Sequence, residues 1–165
     1  MIFLTVGTQF PFDRLVRAVD EAAGRSALED EVFAQVGQRG YRPEHMEWVE
    51  ILERESFAER VAEARALIGH AGVGTILAAL DAGKPLLVMP RLRRYGEIVN
   101  DHQVATARKF AEAGHVLAAY DEGEVLQKLV ELRTFVPIRR RASPERVVAR
   151  VRSFLEELAR HRDGQ

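Results

Sequence analysis

The sequence predicts an α/β fold in which helices cover both faces of one mostly parallel sheet. Two observations lead to this prediction. Short apolar segments rich in β-branched residues alternate along the chain with segments that carry apolar residues at helical spacing. The chain has 165 residues, of which 47% are apolar, and that is enough to build one core. We therefore expect residues 1–165 to form a single domain.

Six short apolar segments are predicted strands. The first covers residues 2–6 and is ended by Gly7. The others cover residues 32–36, 48–52, 66–69, 86–89 and 116–119. Short runs that are apolar throughout are typical of strands buried on both faces of a parallel sheet.

The segments between these strands predict helices. An apolar stripe after the first strand predicts a helix closed by Gly24. Ser56 and Glu59 have the spacing of a capping box, so we expect a helix to begin at Ser56. Further helices are predicted at about residues 76–82, 103–113 and 121–132, the last with Asp121 as its N-cap. Such alternation gives a Rossmann-like domain, in which ligands bind beyond the C-terminal ends of the strands.

The C-terminal part predicts a basic amphipathic helix at about residues 143–162, with Ser143 as N-cap and Pro144 in the first turn. Its apolar stripe should pack on the sheet of the same chain; the stripe consists of Val147, Val148, Val151, Phe154, Leu155 and Leu158. Residues 133–165 hold nine arginines and four acidic residues. Two interpretations stay open for this charge: a solvated helix face, or attraction to an anionic membrane surface.

Composition excludes several kinds of site. The chain has no cysteine, which excludes disulfides, thiolate metal ligands and cysteine nucleophiles. No histidine pair has metal-ligand spacing, so we predict no metal site built by the protein and no cofactor. The first residues are typical of a strand and not of a signal peptide, and no apolar run is long enough for a membrane span. The expected compartment is the cytoplasm.

A glycine-rich segment after the fourth strand is the first candidate for chemistry. It precedes a helix, and backbone N–H groups at a helix start attract anions such as a diphosphate. We expect it to contact the ligand through His70, Ala71, Gly72, Val73, Gly74 and Thr75. A strand–helix turn that needs its glycines for geometry alone is the alternative. The segment matches neither the dinucleotide fingerprint nor a Walker loop.

Two further loops are expected at the same edge of the sheet. The loop after the fifth strand carries Arg91, and then crowds Asn100, Asp101, His102 and Gln103 at a helix start. Arginine suits phosphate, and one of Asn100 and Asp101 can be an ordinary N-cap. The loop after the first strand carries Gly7, Thr8 and Gln9, which either line the same crevice or form a tight turn.

Four motifs, in their order and spacing, resemble the C-terminal domain of family 28 glycosyltransferases, which is the C-terminal half of a GT-B fold. They are His-Ala-Gly-Val-Gly-Thr at 70–75, Gly-Lys-Pro at 83–85, Val-Met-Pro at 88–90 and Asn-Asp-His-Gln at 100–103. The opening residues 3–8 are similar to small stand-alone members. These are the donor-binding subunit of split bacterial exopolysaccharide glycosyltransferases and the catalytic subunit of the eukaryotic two-subunit dolichol-linked N-acetylglucosaminyltransferase.

The resemblance implies a UDP-sugar donor, with the 70–75 loop at the diphosphate and sugar, and with His102 and Gln103 as the candidates for a catalytic role. Many relatives have an acid on the helix after the glycine-rich loop, where it holds the ribose. Ala78 stands at that position here, and Asp81 is a possible substitute.

The resemblance also implies a partner, because family members of ordinary length have a second, acceptor-binding domain. We expect that domain on a membrane-anchored subunit that recruits this chain to the inner face of the membrane, with a lipid-linked acceptor and no nucleic acid. The expected function is transfer of a sugar to that acceptor in exopolysaccharide or cell-surface glycan synthesis. A non-catalytic subunit that binds a nucleotide sugar or acts as a scaffold is the alternative, and an unrelated nucleotide-binding enzyme is a third hypothesis.

Overall fold

The computed structural model describes residues 1–25, 28–139 and 148–156. Six parallel strands form one sheet in the order β3-β2-β1-β4-β5-β6. The strands are β1 (Ile2–Thr5), β2 (Val32–Gln35), β3 (Glu47–Val49), β4 (Ala66–His70), β5 (Leu86–Met89) and β6 (Leu117–Ala118). The predicted α/β fold is confirmed, and each predicted strand overlaps an observed one.

The helices that connect these strands or directly follow β6 are α1 (Asp13–Gly24), α2 (Arg54–Glu63), α3 (Val73–Asp81), α4 (His102–Glu112) and α5 (Glu122–Leu132). A short 3-10 helix at Arg93–Tyr95 lies in the loop between β5 and α4. Side chains from α1 and α5 form one core with one face of the sheet, whereas side chains from α2, α3 and α4 form a second core with the other face. Helices thus cover both faces, as predicted.

Successive residues of β1 point into different cores. Ile2 and Leu4 belong to the core under α1 and α5, and Phe3 belongs to the core on the opposite face. All three are 2% exposed or less, because both faces of the strand are covered. This explains why the strand is apolar throughout instead of alternating with polar residues.

The strand order changes direction between β1 and β4. From β1 the chain runs outward to β2 and β3, and it then returns to place β4 on the other side of β1. The loops that follow β1 and β4 consequently diverge and leave a crevice at the C-terminal ends of these strands. Open α/β sheets bind ligands at such a switch point.

Two helix starts test the predicted caps. Asp121 is the N-cap of α5, as predicted, and its Oδ1 accepts a 3.0 Å hydrogen bond from the backbone N–H of Glu124. The predicted start at Ser56 is wrong, because α2 begins at Arg54 with Glu53 as N-cap and no side-chain cap. The backbone N–H of Phe57 already donates to the Glu53 carbonyl, so Ser56 lies inside the first turn.

The C-terminal helix is described only in part. Residues 148–156 are helical, whereas Ser143, Pro144, Val147 and Leu158 lie outside the described residues. Val148, Val151, Phe154 and Leu155 are each 50–58% exposed, so the prediction that this stripe packs on the sheet is wrong for them. Among the helices that the structure describes, none is long and apolar enough to cross a membrane.

Candidate functional site

A cavity of about 510 Å³ opens at the C-terminal ends of β1 and β4. It contains seven of the residues that the sequence singled out: Gly7, Thr8, Gln9, His70, Gly74, Thr75 and Arg91. These come from the loops after β1, β4 and β5, so the topology brings the three candidate loops to one place. The rest of the lining is Thr5, Val6, Gln35, Leu52, Arg54 and Phe57.

The imidazole of His70 lies between two glycines. A Cβ atom at Gly72 would stand 2.3 Å from Nε2 of His70, and a Cβ atom at Gly7 would stand 3.1 Å from its Cε1. Gly7 also has a φ of +77°, in the left-handed region that favours glycine. The two glycines therefore provide the space in which the ring is held at the cavity wall.

His70 is a neutral group at physiological pH. Its pKa is lowered to about 4, mainly by burial and also by the positive charge of Arg91, whereas a backbone hydrogen bond to Thr5 opposes the shift. Its Nδ1 lies 3.5 Å from the Thr75 hydroxyl oxygen. A neutral imidazole has one donor and one acceptor nitrogen, so the ring adds no charge to the cavity.

Arg91 supplies a buried positive charge next to this ring. The residue is 3% exposed, and its Nη2 donates to the backbone carbonyls of Val6, at 2.7 Å, and of Phe10. Its Nε is buried without a hydrogen-bond partner among the described residues. Burial lowers the pKa of Arg91 to about 10, and the charge of Glu97 partly opposes this. A buried guanidinium that is hydrogen-bonded only to carbonyls is suited to an incoming anion.

The charge of the cavity is one-sided. Arg54 and Arg91 both line it, and none of the described lining residues is a carboxylate. Leu52 and Phe57 give one part of the wall an apolar surface. The arrangement suits an anionic ligand with a flat apolar part, such as a nucleoside diphosphate.

Gln35 belongs to the candidate site, although the sequence did not single it out. Its Nε2 donates a 3.0 Å hydrogen bond to the Gly7 carbonyl, and its Oε1 accepts one of 3.2 Å from the backbone N–H of Leu52. It thereby fixes two walls of the cavity. A glutamine inside an apolar strand was the available signal, since buried polar side chains need such partners.

Other predicted residues do not line this cavity. Ala71 is buried in the core, and Val73 is half-exposed at the start of α3. Asn100, Asp101 and His102 are exposed at the start of α4, outside the cavity lining. Ala78 is half-buried on α3, and Asp81 is the exposed last residue of that helix. Among the described residues, no carboxylate of α3 therefore lines the cavity.

The start of α4 is held by side chains, but not by an ordinary N-cap. Asp101 occupies the N-cap position, yet its Oδ1 accepts a 2.7 Å hydrogen bond from the backbone N–H of Arg93 instead. Oδ1 of Asn100 accepts the backbone N–H of His102 and also contacts Nδ1 of its ring. In the neutral tautomer that donates from Nδ1 to this oxygen, Nε2 is the acceptor atom of His102.

Gln103 faces inward. It is 4% exposed, and its Oε1 accepts a 3.1 Å hydrogen bond from the backbone N–H of Arg91. The two residues that the sequence grouped as candidates for catalysis thus have different environments, His102 on the surface and Gln103 beneath the loop.

Two other cavities of similar volume lie elsewhere in the described part of the chain. A cavity of about 450 Å³ lies between α1 and α5, and one of about 460 Å³ lies between the start of α1 and the 3-10 helix. Neither contains the glycine-rich loop. The described residues contain no group of three or more His, Asp or Glu side chains that could hold a metal ion.

Comparisons with known proteins show the family of this chain. The UDP-N-acetylglucosamine transferase subunit ALG13 of Homo sapiens is 28% identical over 124 residues, which are 70% of this chain and 10% of that protein. The chain thus spans about a tenth of the length of this relative. A UDP-N-acetylglucosamine–N-acetylmuramyl-(pentapeptide) pyrophosphoryl-undecaprenol N-acetylglucosamine transferase of Rhodospirillum centenum is 39% identical over 56 residues, 34% of this chain and 14% of that one.

Solved structures agree on the fold. The NMR solution structure of ALG13 superposes with a TM-score of 0.59 at 21% identity, covering 87% of this chain and 91% of that one. The model of the glycosyltransferase family 28 C-terminal domain matches residues 1–158, which include every strand and helix described here. The chain belongs to the glycosyltransferase family 28 C-terminal domain family.

Proposed function

We propose that the chain binds a UDP-sugar in the cavity at the ends of β1 and β4 and supplies the donor half of a glycosyltransferase. The buried guanidinium of Arg91, beside a glycine-rich helix start and with no carboxylate among its hydrogen-bond partners in the described residues, is the observation that carries this proposal. Family membership narrows the anion from any nucleotide to a nucleotide sugar. UDP-N-acetylglucosamine is the first donor to test, since the names of both relatives contain it.

In this proposal the diphosphate lies between the start of α3 and Arg91. The first turn of α3 presents backbone N–H groups beside Gly74, and Thr75 adds a hydroxyl. The uracil ring of the donor lies toward Leu52 and Phe57, on the apolar wall. We keep Gly7, Thr8, Gln9, His70, Ala71, Gly72 and Val73 as donor-binding candidates, through backbone as well as side-chain groups.

The proposed reaction needs both a stabilised leaving group and a base. An acceptor hydroxyl oxygen attacks the anomeric carbon, the bond from that carbon to the UDP oxygen breaks, and a base takes the hydroxyl proton. Arg91 and the N–H groups of α3 stabilise the negative charge that develops on UDP. His102 is a candidate for this general base, through its Nε2 atom. Gln103 supports the backbone of Arg91 from beneath the loop.

We also propose a membrane-anchored partner that binds a lipid-linked acceptor, in cell-surface glycan or exopolysaccharide synthesis. One relative is named a transferase subunit, and the name of the other contains a pyrophosphoryl-undecaprenol compound. The exposed stripe of Val148, Val151, Phe154 and Leu155 supports an interaction surface on the C-terminal helix. The chain would then act at the cytoplasmic side of the membrane, where UDP-sugars are found.

A transfer assay tests the proposal. The chain is incubated with radiolabelled UDP-N-acetylglucosamine, alone and with membranes from a strain of its source organism that lacks it. We expect label in the lipid fraction only when chain and membranes are combined, and none with a Gly74→Val chain. Full transfer by the chain alone contradicts the need for a partner. UDP binding without transfer supports the alternative of a non-catalytic subunit.

A further inference from the structure

Three successive residues after β5 have backbone groups held by side chains from elsewhere. The Pro90 carbonyl accepts a 3.2 Å hydrogen bond from Nη2 of Arg14. The Arg91 N–H donates to Gln103, as described above. The Leu92 N–H donates a 2.9 Å hydrogen bond to Oε2 of Glu97. These three hydrogen bonds hold the peptide units on both sides of Arg91. They therefore fix the direction in which its side chain leaves the backbone.

Arg14 and Glu97, which hold two of these three backbone groups, also form an ion pair with each other. Nε of Arg14 lies 2.9 Å from Oε1 of Glu97, and Nη2 lies 3.1 Å from Oε2, so the pair is bidentate. The two side chains are only 10% and 11% exposed, and the Tyr95 ring covers the guanidinium at 4.7 Å. Such an ion pair is better defined in geometry than an exposed one.

We propose that Glu97, held by Arg14, is a positioning residue that directs the buried guanidinium of Arg91 toward the donor diphosphate. The proposal rests on the function proposed above. Glu97 does not line the cavity, and Arg14 reaches the loop from α1 on the other side of Met89 and Pro90. Their effect on the donor therefore passes through the backbone of residues 90–92.

A purely electrostatic role of Glu97 makes the opposite prediction. Its negative charge lies close enough to favour the charged form of Arg91. Removing that charge makes the surroundings of the cavity more positive, and a diphosphate would then bind more tightly. If Glu97 instead positions Arg91, removing it weakens binding. The sign of the change distinguishes the two roles.

Calorimetric titration with UDP measures this sign in the full chain. In Glu97→Gln an amide oxygen at the Oε2 position can still accept from Nη2 of Arg14 and from the Leu92 N–H. The amide nitrogen then faces Nε of Arg14, donor against donor, and the negative charge that makes the pair bidentate is gone. We expect UDP affinity to fall about tenfold, the size expected for loss of a hydrogen bond to a charged group. Glu122→Gln is the matched control: Glu122 also accepts from Arg14, at 3.2 Å, but from α5 and without contact to the loop. It should change UDP affinity by less than about twofold.

The Arg91→Met background separates positioning from general destabilisation. If Glu97 acts through Arg91, then Glu97→Gln causes no further loss of UDP affinity in that background. Arg91→Lys replaces Arg91→Met if thermal unfolding shows that the latter does not fold. Unchanged or tighter UDP binding in Glu97→Gln, or losses that add in the double variant, would overturn the inference. If Arg91→Met weakens binding and Glu97→Gln does not, the proposed function stands and only the inference falls; a wild-type chain that does not bind UDP defeats both.

Discussion

The backbone N–H of Arg91 donates a 3.1 Å hydrogen bond to the side-chain oxygen of Gln103, which lies twelve residues further along the chain. This bond joins the two ends of the long loop between β5 and α4. Gln103 thus supports the residue that carries the positive charge of the cavity. We expected Gln103 to lie beside the donor; its side-chain oxygen already accepts this hydrogen bond from the backbone.

We expect Gln103→Ala to weaken both folding and UDP binding. The variant leaves the buried N–H of Arg91 without a partner, which costs about 1–3 kcal/mol of unfolding free energy. Denaturant unfolding and UDP titration measure the two effects. A variant as stable as the wild type would show that the loop finds another partner for this N–H.

His102→Ala should instead impair sugar transfer and leave folding nearly unchanged. His102 is exposed, so its loss should change the free energy of unfolding by no more than about 0.5 kcal/mol. Sugar transfer with the membrane fraction should fall about 10²-fold or more if Nε2 takes the acceptor proton. Wild-type transfer rates in this variant would remove His102 from the reaction and leave the base to the partner.

Substitutions of Gly72 and Gly74, two glycines of the same loop, should weaken UDP binding for different reasons. Gly72→Ala places a Cβ atom 2.3 Å from the His70 ring, which must move, so we expect weaker UDP binding from a displaced ring. Nothing lies within 4 Å of a Cβ atom at Gly74, so Gly74→Val should fold normally. Its side chain would occupy ligand space and abolish UDP binding, with Gly74→Ala intermediate. Circular dichroism and UDP titration measure the two outcomes; normal affinity in Gly74→Val would contradict the placement of the phosphates.

The pH dependence of stability should report the buried His70. Its pKa of about 4 in the folded chain lies below the ordinary value of 6.5. Between these values the unfolded chain binds a proton at this residue and the folded chain does not. The stabilisation is therefore complete above pH 6.5 and is lost as the pH falls toward 4, by up to about 1.4 kcal/mol per pH unit. Without ligand, the wild type should lose stability more steeply than His70→Asn, and equal slopes would show that the ring protonates in the fold.

The exposed stripe of the C-terminal helix can be tested without knowing the partner. Val151→Ser with Phe154→Ser should leave the isolated chain as stable as the wild type, within about 0.5 kcal/mol, because both side chains are half-exposed. Flotation with membranes should fall in the same variant. A loss of more than about 2 kcal/mol would instead mean that the stripe packs on the domain. Recruitment that does not weaken at high salt would exclude an electrostatic part for the arginines.

The sequence predicted the strands well and one helix start poorly, for physical reasons. Short apolar runs such as that of β1 have few alternatives to a buried strand. The start of α2 at Arg54 has no side-chain cap, so nothing in the local sequence marks it, whereas Ser56 and Glu59 formed a convincing capping pattern. The stripe around Phe154 shows that an apolar pattern predicts a helix face but not what covers it.

The candidate site was predicted only where its residues follow strands in local motifs. The loops that carry Gly7, His70 and Arg91 could be grouped because parallel strands end at one edge of a sheet. Gln35 and Arg54 reach the same cavity from other parts of the chain, and only the strand order brings them there. Which face of α4 carries His102 and which carries Gln103 depends on packing that the residue types do not specify.

Equilibrium dialysis with radiolabelled UDP shows directly whether this cavity binds the UDP part of a donor. The chain is dialysed alone and with the solubilised membrane fraction, and Gly74→Val is the control that should fold and not bind. We predict saturable binding of one UDP per chain that is lost in the control. No binding at millimolar UDP, with or without the membrane fraction, would contradict the account.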